Sequence, residues 1–184
     1  MRVITGSARN KRLRTLPGND VRPTTEKVKE AVFSAIHFEL ENSRVLDLFA
    51  GCGQMGIEAL SRGAEFAIFC DNSKDSVDII NANLKACELE RKSKVIRSDY
   101  LSFLSTTQEK FDICFLDPPY FAGYYNNAMD MLSKVIKPDG KVLCEHPDSV
   151  KLDDRYGNLV KIKDYRFSKI IISKYVLEVA EDEE

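Results

Sequence analysis

The chain has 184 residues, with 43% apolar and 30% charged side chains and a formal charge of −2. This length supports one domain that buries a core without disulfide or metal staples, and the composition excludes wholesale disorder. The charge is unevenly placed: residues 1–30 hold eight Lys/Arg against three acids, and the remaining chain holds 19 against 26, which suggests a polyanion contact at one end.

In chain order, residues 1–14 alternate weakly around Gly6 and predict a short hairpin. The segment LPGNDVRP, Leu16 to Pro23, is turn-rich. Helical spacing follows at Val28, Ala31, Val32, Ala35 and Ile36, with Thr24 or Thr25 as N-cap. We therefore divide the chain into a basic arm, residues 1–23, and a main domain, residues 24–184. From residue 44 apolar strand-like runs alternate with helical segments. The predicted strands are 45–49, 66–70, 94–97, 111–116 and 141–145. The predicted helices are 56–61, 74–88, 100–105 and 125–135. Continuous apolar runs such as ICFL suit parallel strands covered on both faces. The alternation predicts an open α/β sheet, and 159–167 with 170–176 predict a closing antiparallel pair.

The first of these strands runs into Asp47-Leu-Phe-Ala-Gly51-Cys-Gly53-Gln-Met-Gly56, a GxGxxG between strand and helix. Glycines there permit a tight turn and close approach of backbone to a ligand. About 20 residues on, Asp71 ends the second strand, where a carboxylate can accept from ribose hydroxyls. Two ligands compete for this pattern. A dinucleotide would set its pyrophosphate on the helix N-terminus. S-adenosylmethionine has no phosphate and carries a cationic methionine end. Asp47 would repel the first and attract the second. Asp99, after Ser98 and before Tyr100, can accept from an adenine amino group. Asp47, Asp71, Asp99 and Asp117 thus fall at or near the ends of successive strands, where open α/β sheets collect ligands.

Asp117-Pro118-Pro119-Tyr120 follows the run 111–116. The prolines stop the strand and stiffen the turn. The Asp117 carboxylate and the Pro118 carbonyl are then two fixed acceptors, suited to the two protons of an exocyclic NH₂ on a base. Hydrogen bonds to both protons aim the nitrogen lone pair, and the carboxylate stabilises positive charge developing on nitrogen. Tyr120 offers a stacking face, worth roughly 1–3 kcal/mol by alanine substitution.

Together, DLFAGCGQMGIEALSRGA, DPPY and RVITGSARNKRLR…VRPTTEKVKEAVFSAI resemble the RsmD family of bacterial 16S rRNA guanine-N2 methyltransferases. The resemblance covers nearly the whole chain and thins after about residue 150. It implies a Rossmann-like class I methyltransferase fold, a seven-stranded and mostly parallel sheet with an antiparallel last strand inserted. It also implies S-adenosylmethionine as cofactor and, as target, guanine N2 at position 966 in a partly assembled small subunit. By resemblance, Asp47, Gly51 and Gly53 meet the methionine end, with Phe49 and Ala50 in the same loop. Asp71 with Asn72 meets the ribose, and Ser98, Asp99 and Tyr100 meet the adenine. Asp117, Pro118, Pro119 and Tyr120 clamp the target base, with Asp117 also bordering the cofactor. Arg22 and Thr24 are expected near the RNA and the cofactor. Gln54-Met55 departs from the small apolar residues more usual there and leaves the glycines intact.

The basic arm then has a partner: Arg9, Lys11, Arg12 and Arg14 would contact rRNA phosphates, which position without reading sequence. Competing readings are an adenine-N6 or protein-amide methyltransferase, a nicotinamide oxidoreductase, and a non-catalytic RNA-binding protein. Asp47 and the DPPY do not fit the oxidoreductase, and the four intact acids argue against the non-catalytic protein. About 40 residues before the glycine loop leave little room for a DNA-reading domain. The five cysteines, at 52, 70, 87, 114 and 144, form no CxxC pair and read as reduced thiols. Cys52 is expected to pack in the turn. His37 is expected on the surface or packed, and His146 as a strand-end polar residue with a substrate-side role as the alternative. No metal is expected. No apolar run approaches the ~18–20 residues that span a bilayer, and MRVITGSARNKRLR does not read as a secretory signal. A cytoplasmic monomer is the expectation.

Overall fold

A computed structural model describes residues 1–16, 26–119 and 123–178. The elements in chain order are α1 (Glu26–Ala35), β1 (Arg44–Leu48), α2 (Gln54–Ser61), β2 (Phe66–Asp71), α3 (Lys74–Cys87), β3 (Ser93–Arg97) and α4 (Tyr100–Thr106). These are followed by β4 (Phe111–Leu116), α5 (Tyr124–Leu132), β5 (Ile136–Pro147), β6 (Arg155–Tyr156), β7 (Leu159–Phe167) and β8 (Ile170–Leu177). The proposed caps Thr24 and Thr25 lie outside the described residues. α3 shows why its ends fall where they do. Ser73 accepts from Ser76 N at 3.3 Å to cap the start, and Glu88 turns left-handed at φ 60° to close the end.

The strands form one sheet in the order β3-β2-β1-β4-β5-β8-β7-β6. β1 to β5 run parallel, and β8 is antiparallel to both β5 and β7, between which it lies. The expected inserted last strand is therefore present, and the two-residue β6 adds an eighth strand at the edge. β1 neighbours both β2 and β4, so the chain reverses its direction of growth there. A crevice opens at such a reversal, at the carboxyl ends of the strands.

Alternate strand residues enter different cores. Val45, Ala67, Phe69, Ile113 and Phe115 pack with Val28, Val32 and Phe33 of α1, Ile57 of α2, and Ile80 and Leu84 of α3. Leu46, Leu48, Ile68, Cys114 and Leu116 pack with Phe103 of α4 and Ala128, Met129 and Leu132 of α5. Burial on both faces is what makes these strands continuously apolar.

The arm makes one bridge, Arg2 to Arg12, supported by Val3 N donating to Lys11 O at 3.0 Å and Asn10 N to Val3 O at 2.9 Å. Val3, Ala8 and Leu13 are buried in the α1–α3 core. Leu13 N also donates to Met1 O at 3.1 Å, while the middle of the arm finds partners on α2. Ile4 N and Thr5 N donate to Glu58 at 2.8 and 3.0 Å, and Ala8 N donates to Ser61 Oγ at 2.9 Å. Gly6 makes this approach feasible: its φ is 90°, and a Cβ there would lie 1.7 Å from Ser61 O. Glu58 is completely buried and also meets Lys29 Nζ at 3.1 Å and Arg62 Nε at 2.8 Å. Lys29 in turn donates to Arg2 O at 2.7 Å, so the arm, α1 and α2 share one charged knot.

Candidate active site

The glycine loop is bent over the end of β2. Phe49 N and Ala50 N both donate to Cys70 O, at 3.0 and 3.1 Å, and Gly53 N closes back to Ala50 O at 2.7 Å. Gly51 and Gly53 have φ of 57° and 78°, a region that glycine enters freely. Phe49 holds φ 65° with a bulky side chain, a conformation costing about 1–3 kcal/mol that clusters at functional sites. Gly56 lets α2 sit against β2, since a Cβ there would fall 2.3 Å from the Phe69 ring.

Each expected acid has a definite place. Asp47 is buried on β1 and accepts from Gly56 N at 2.8 Å. Burial pushes its carboxyl up to about 7; the Gly56 bond works against that, and the charge on Asp71 adds to it. Asp71 accepts from Gly51 N at 2.8 Å and Ser73 N at 2.9 Å, tying the loop to the start of α3. A carboxylate has about four acceptor positions, so two remain for a diol. Asn72 beside it is exposed. Asp99 is exposed and caps α4 through Ser102 N at 3.0 Å; the Ser102 hydroxyl, and then this backbone bond, hold its carboxyl below the usual range. Ser98 carries Cys70 Sγ on its carbonyl.

Asp117 is half-buried one residue past β4, followed by buried Pro118 and exposed Pro119. Burial, then the charges of Glu145 and Asp47, raise its carboxyl well above the usual carboxylate range. Asp117 and Glu145 share a small cavity with Val32, Met55, Leu143 and Ile172. The strand order therefore sets Asp99, Asp71, Asp47 and Asp117 along one edge, on β3, β2, β1 and β4 in turn. A groove of about 240 Å³ lies at the opposite edge of the sheet, beside Ser43, Asp112 and Gly140, away from these groups.

Three residues at or beside the site carry no motif in the sequence, and a fourth, Gln54, lies inside the GxGxxG without being one of its glycines. Glu145 is buried in the run KVLCEH, where nothing marks it apart from its charge. Tyr124 packs on Phe49 and Tyr100, with ring centroids 5.5 and 5.3 Å apart, and Phe49 lies 5.1 Å from Tyr100. Gln54 has a buried Oε1 without a partner among the described residues. Asn83 touches the loop from α3, through its bond to Cys52 O.

Arg9, Lys11, Arg12 and Arg14 are all exposed on the arm. Arg22, Thr24 and Tyr120 lie outside the described residues. His146 is buried rather than directed at a substrate: its ring meets Ser173 Oγ at 2.8 Å and Pro147 O at 3.1 Å. Ser173 in turn donates to Asp164 at 2.7 Å. With Ser173 fully buried between the other two, this is a structural relay and not a nucleophile. Cys52 packs in the turn with its Sγ 3.9 Å from Met1 Sδ, and burial raises its thiol pKa. All five cysteines are free thiols. Among the described residues, no cluster of three or more His, Cys, Asp or Glu is placed to hold a metal, and no helix is long and apolar enough to cross a membrane.

An open sheet with β8 inserted antiparallel, a glycine loop after β1 and acids along the carboxyl edge define a Rossmann-like methyltransferase that uses S-adenosylmethionine. The Escherichia coli structure named as the methyltransferase yhhF shares the fold, with a TM-score of 0.87 and 26% identity over 97% of this chain and 98% of that one. The family model described as Conserved hypothetical protein 95 matches residues 1–176, and the chain belongs to that family, the RsmD family. A Haemophilus influenzae relative named ribosomal RNA small subunit methyltransferase D is 34% identical over 79% of this chain and 78% of its own. YlbH of Bacillus subtilis, to which an rRNA methyltransferase role is ascribed, is 38% identical over 87% and 90%.

Proposed function

We propose that this protein methylates the exocyclic N2 amine of a guanine in 16S rRNA, position 966, within a partly assembled small subunit. The observation that carries the reading is Asp117: a half-buried carboxyl at the chain reversal, fixed by two prolines, on the strand adjoining Asp47 and the glycine loop. The small-subunit rRNA methyltransferase name of the relatives supports the substrate. The exposed cations of the arm supply phosphate contacts, and a monomer acting in the cytoplasm suffices for this.

The residues fit the cofactor. Asp47 and the unpartnered Gln54 Oε1 suit a cationic methionine end, Asp71 suits a ribose diol, and Asp99 with the Phe49–Tyr100–Tyr124 rings suits an adenine. When bound, S-adenosylmethionine supplies a methyl group activated by its sulfonium. Asp117 and the Pro118 carbonyl accept from the two N–H groups of the base and aim the nitrogen lone pair. Alignment of this kind provides most of the acceleration. A cationic sulfonium beside Asp117 would offset the burial that raises its carboxyl, and the ionised form stabilises the charge that develops on nitrogen. The surplus proton leaves by way of Asp117 to water.

Incubation with methyl-labelled S-adenosylmethionine and three acceptors tests the substrate: partly assembled small subunits, naked 16S rRNA and duplex DNA. Label in N2-methylguanosine from the subunits is expected. Label in N6-methyladenine, or in no nucleoside, would overturn the proposal.

Asp47 gives a pH prediction. Its carboxyl is raised in the folded protein, so the fold holds an extra proton between the ordinary carboxylate range and about pH 7. Its contribution to the stability of the free protein therefore falls as pH rises through that window. A cationic ligand beside Asp47 reverses the preference and expels the proton. Cofactor affinity is expected to rise between pH 5.5 and 8 (roughly bracketing that proton loss). Calorimetry at pH 6 in two buffers of different ionisation enthalpy should show proton release that Asp47→Asn abolishes.

A further inference from the structure

Asn83 lies on α3, outside every motif of the sequence, yet it is 1% exposed and uses its whole amide. Arg14 N donates to its Oδ1 at 2.8 Å, and its Nδ2 donates to Arg14 O at 3.0 Å. The second Nδ2 proton goes to Cys52 O at 2.9 Å. Cys52 stands between Gly51 and Gly53, so one side chain holds both the end of the basic arm and the middle of the glycine loop. Three residues earlier on the same helix, Ile80 presses on Gly53, 3.3 Å from where a Cβ would stand. The loop thus rests on the Ile80–Asn83 face of α3. A second link joins the same two segments, Cys52 Sγ to Met1 Sδ.

A buried amide in the middle of a helix is costly unless every bond is made. Here the bonds are made only if the arm is docked. An undocked arm leaves Oδ1 and one N–H without partners, and the side chain must then choose between the loop and water.

We propose that Asn83 is a positioning residue that makes the arm part of the cofactor site, so that the loop holds its cofactor-binding shape only while the arm is docked. The proposal rests on the reading of the glycine loop as the cofactor site. It gives RNA seated on Arg12 and Arg14 a direct mechanical route to the Cys52 carbonyl. By linkage, whatever secures the arm tightens the cofactor, and the cofactor in turn secures the arm.

The test is a double-mutant cycle read as cofactor affinity by calorimetry on the full chain, at a temperature where circular dichroism shows every variant folded. Gly6→Ala pushes the arm off Ser61 O at its far end, well away from the loop. We expect it to weaken S-adenosylmethionine binding about 5-fold, and Asn83→Ala to weaken it about 10-fold. The double variant should match Asn83→Ala alone, because the route is already cut. If Gly6→Ala does not fold, Ser61→Ala replaces it; that change removes only the hydroxyl that joins Ala8 N and Thr5 O. Unaltered affinity in the arm variant, or an arm effect that persists in full without Asn83, would overturn the proposal. Asp71→Ala separates the two readings. If it loses affinity while the arm variant does not, the proposal alone fails. If it too binds normally, the loop is not the cofactor site and both fail.

Discussion

Asp117→Ala is expected to slow methyl transfer roughly 10³-fold while S-adenosylmethionine still binds within a few-fold of its normal affinity. The asymmetry follows from where the carboxyl sits. The glycine loop and Asp71 make their bonds to each other without Asp117, so the loop keeps its shape. What is lost is the acceptor facing the amine and the negative charge beside the nitrogen as it becomes cationic. Asp117→Asn separates the two: it keeps an acceptor and loses the charge, and should fall between wild type and alanine. Single-turnover rates with saturating cofactor, read as N2-methylguanosine, are the measurement. Activity of the alanine variant within tenfold of wild type would remove Asp117 from the chemistry.

Glu58→Ala should cost about 3–5 kcal/mol of stability, because it strands the buried ammonium of Lys29 and two backbone N–H groups of the arm. At 2–4 °C per kcal/mol for a domain of this size, melting should fall on the order of 10 °C. Glu58→Leu with Lys29→Met replaces the pair by apolar groups and should recover part of that loss, since removing both charges avoids an unpaired one. Protease sensitivity near residue 10 should rise in Glu58→Ala. A melting temperature within about 2 °C of wild type would show that the knot does not hold the arm.

Much of the sheet is legible in the chain, and the reason is burial on two faces. β4 and β7 fall on the predicted residues, and β1, β2 and β3 within one at each end. The apolar runs of β1, β2 and β4 end abruptly in the glycine loop, charge or proline, whereas β7, LVKIKDYRF, is marked by its β-branched and aromatic residues. β5 is harder. It starts at Ile136 instead of 141, across Pro138, Asp139 and Gly140, because pairing with β4 resumes after an irregularity at Phe111 and Ile113. The predicted helix to 135 stops at Leu132 for the same reason. The arm reads as a hairpin by alternation, and it makes hairpin bonds between its ends, but its middle is tied to Glu58 and Ser61, which no local pattern foretells. In the candidate site, the motif residues are visible because glycine and proline mark backbone that must bend. Glu145, Tyr124 and Asn83 are not, since each is an ordinary residue in an ordinary element, and only packing brings it to the site.

The position of β8 governs the order in which the molecule can assemble. Among the described elements it is the last in chain order, yet it lies inside the sheet between β5 and β7. Its Lys174 also reaches back 139 residues to cap α1 through Ala35 O at 2.8 Å. Until β8 pairs, β5 and β7 have no shared neighbour and Ala35 O lacks its Lys174 donor. The β1–β4 half can gather around its own crossovers first, whereas closure of the domain waits for contacts of long sequence separation and is hence the slow step.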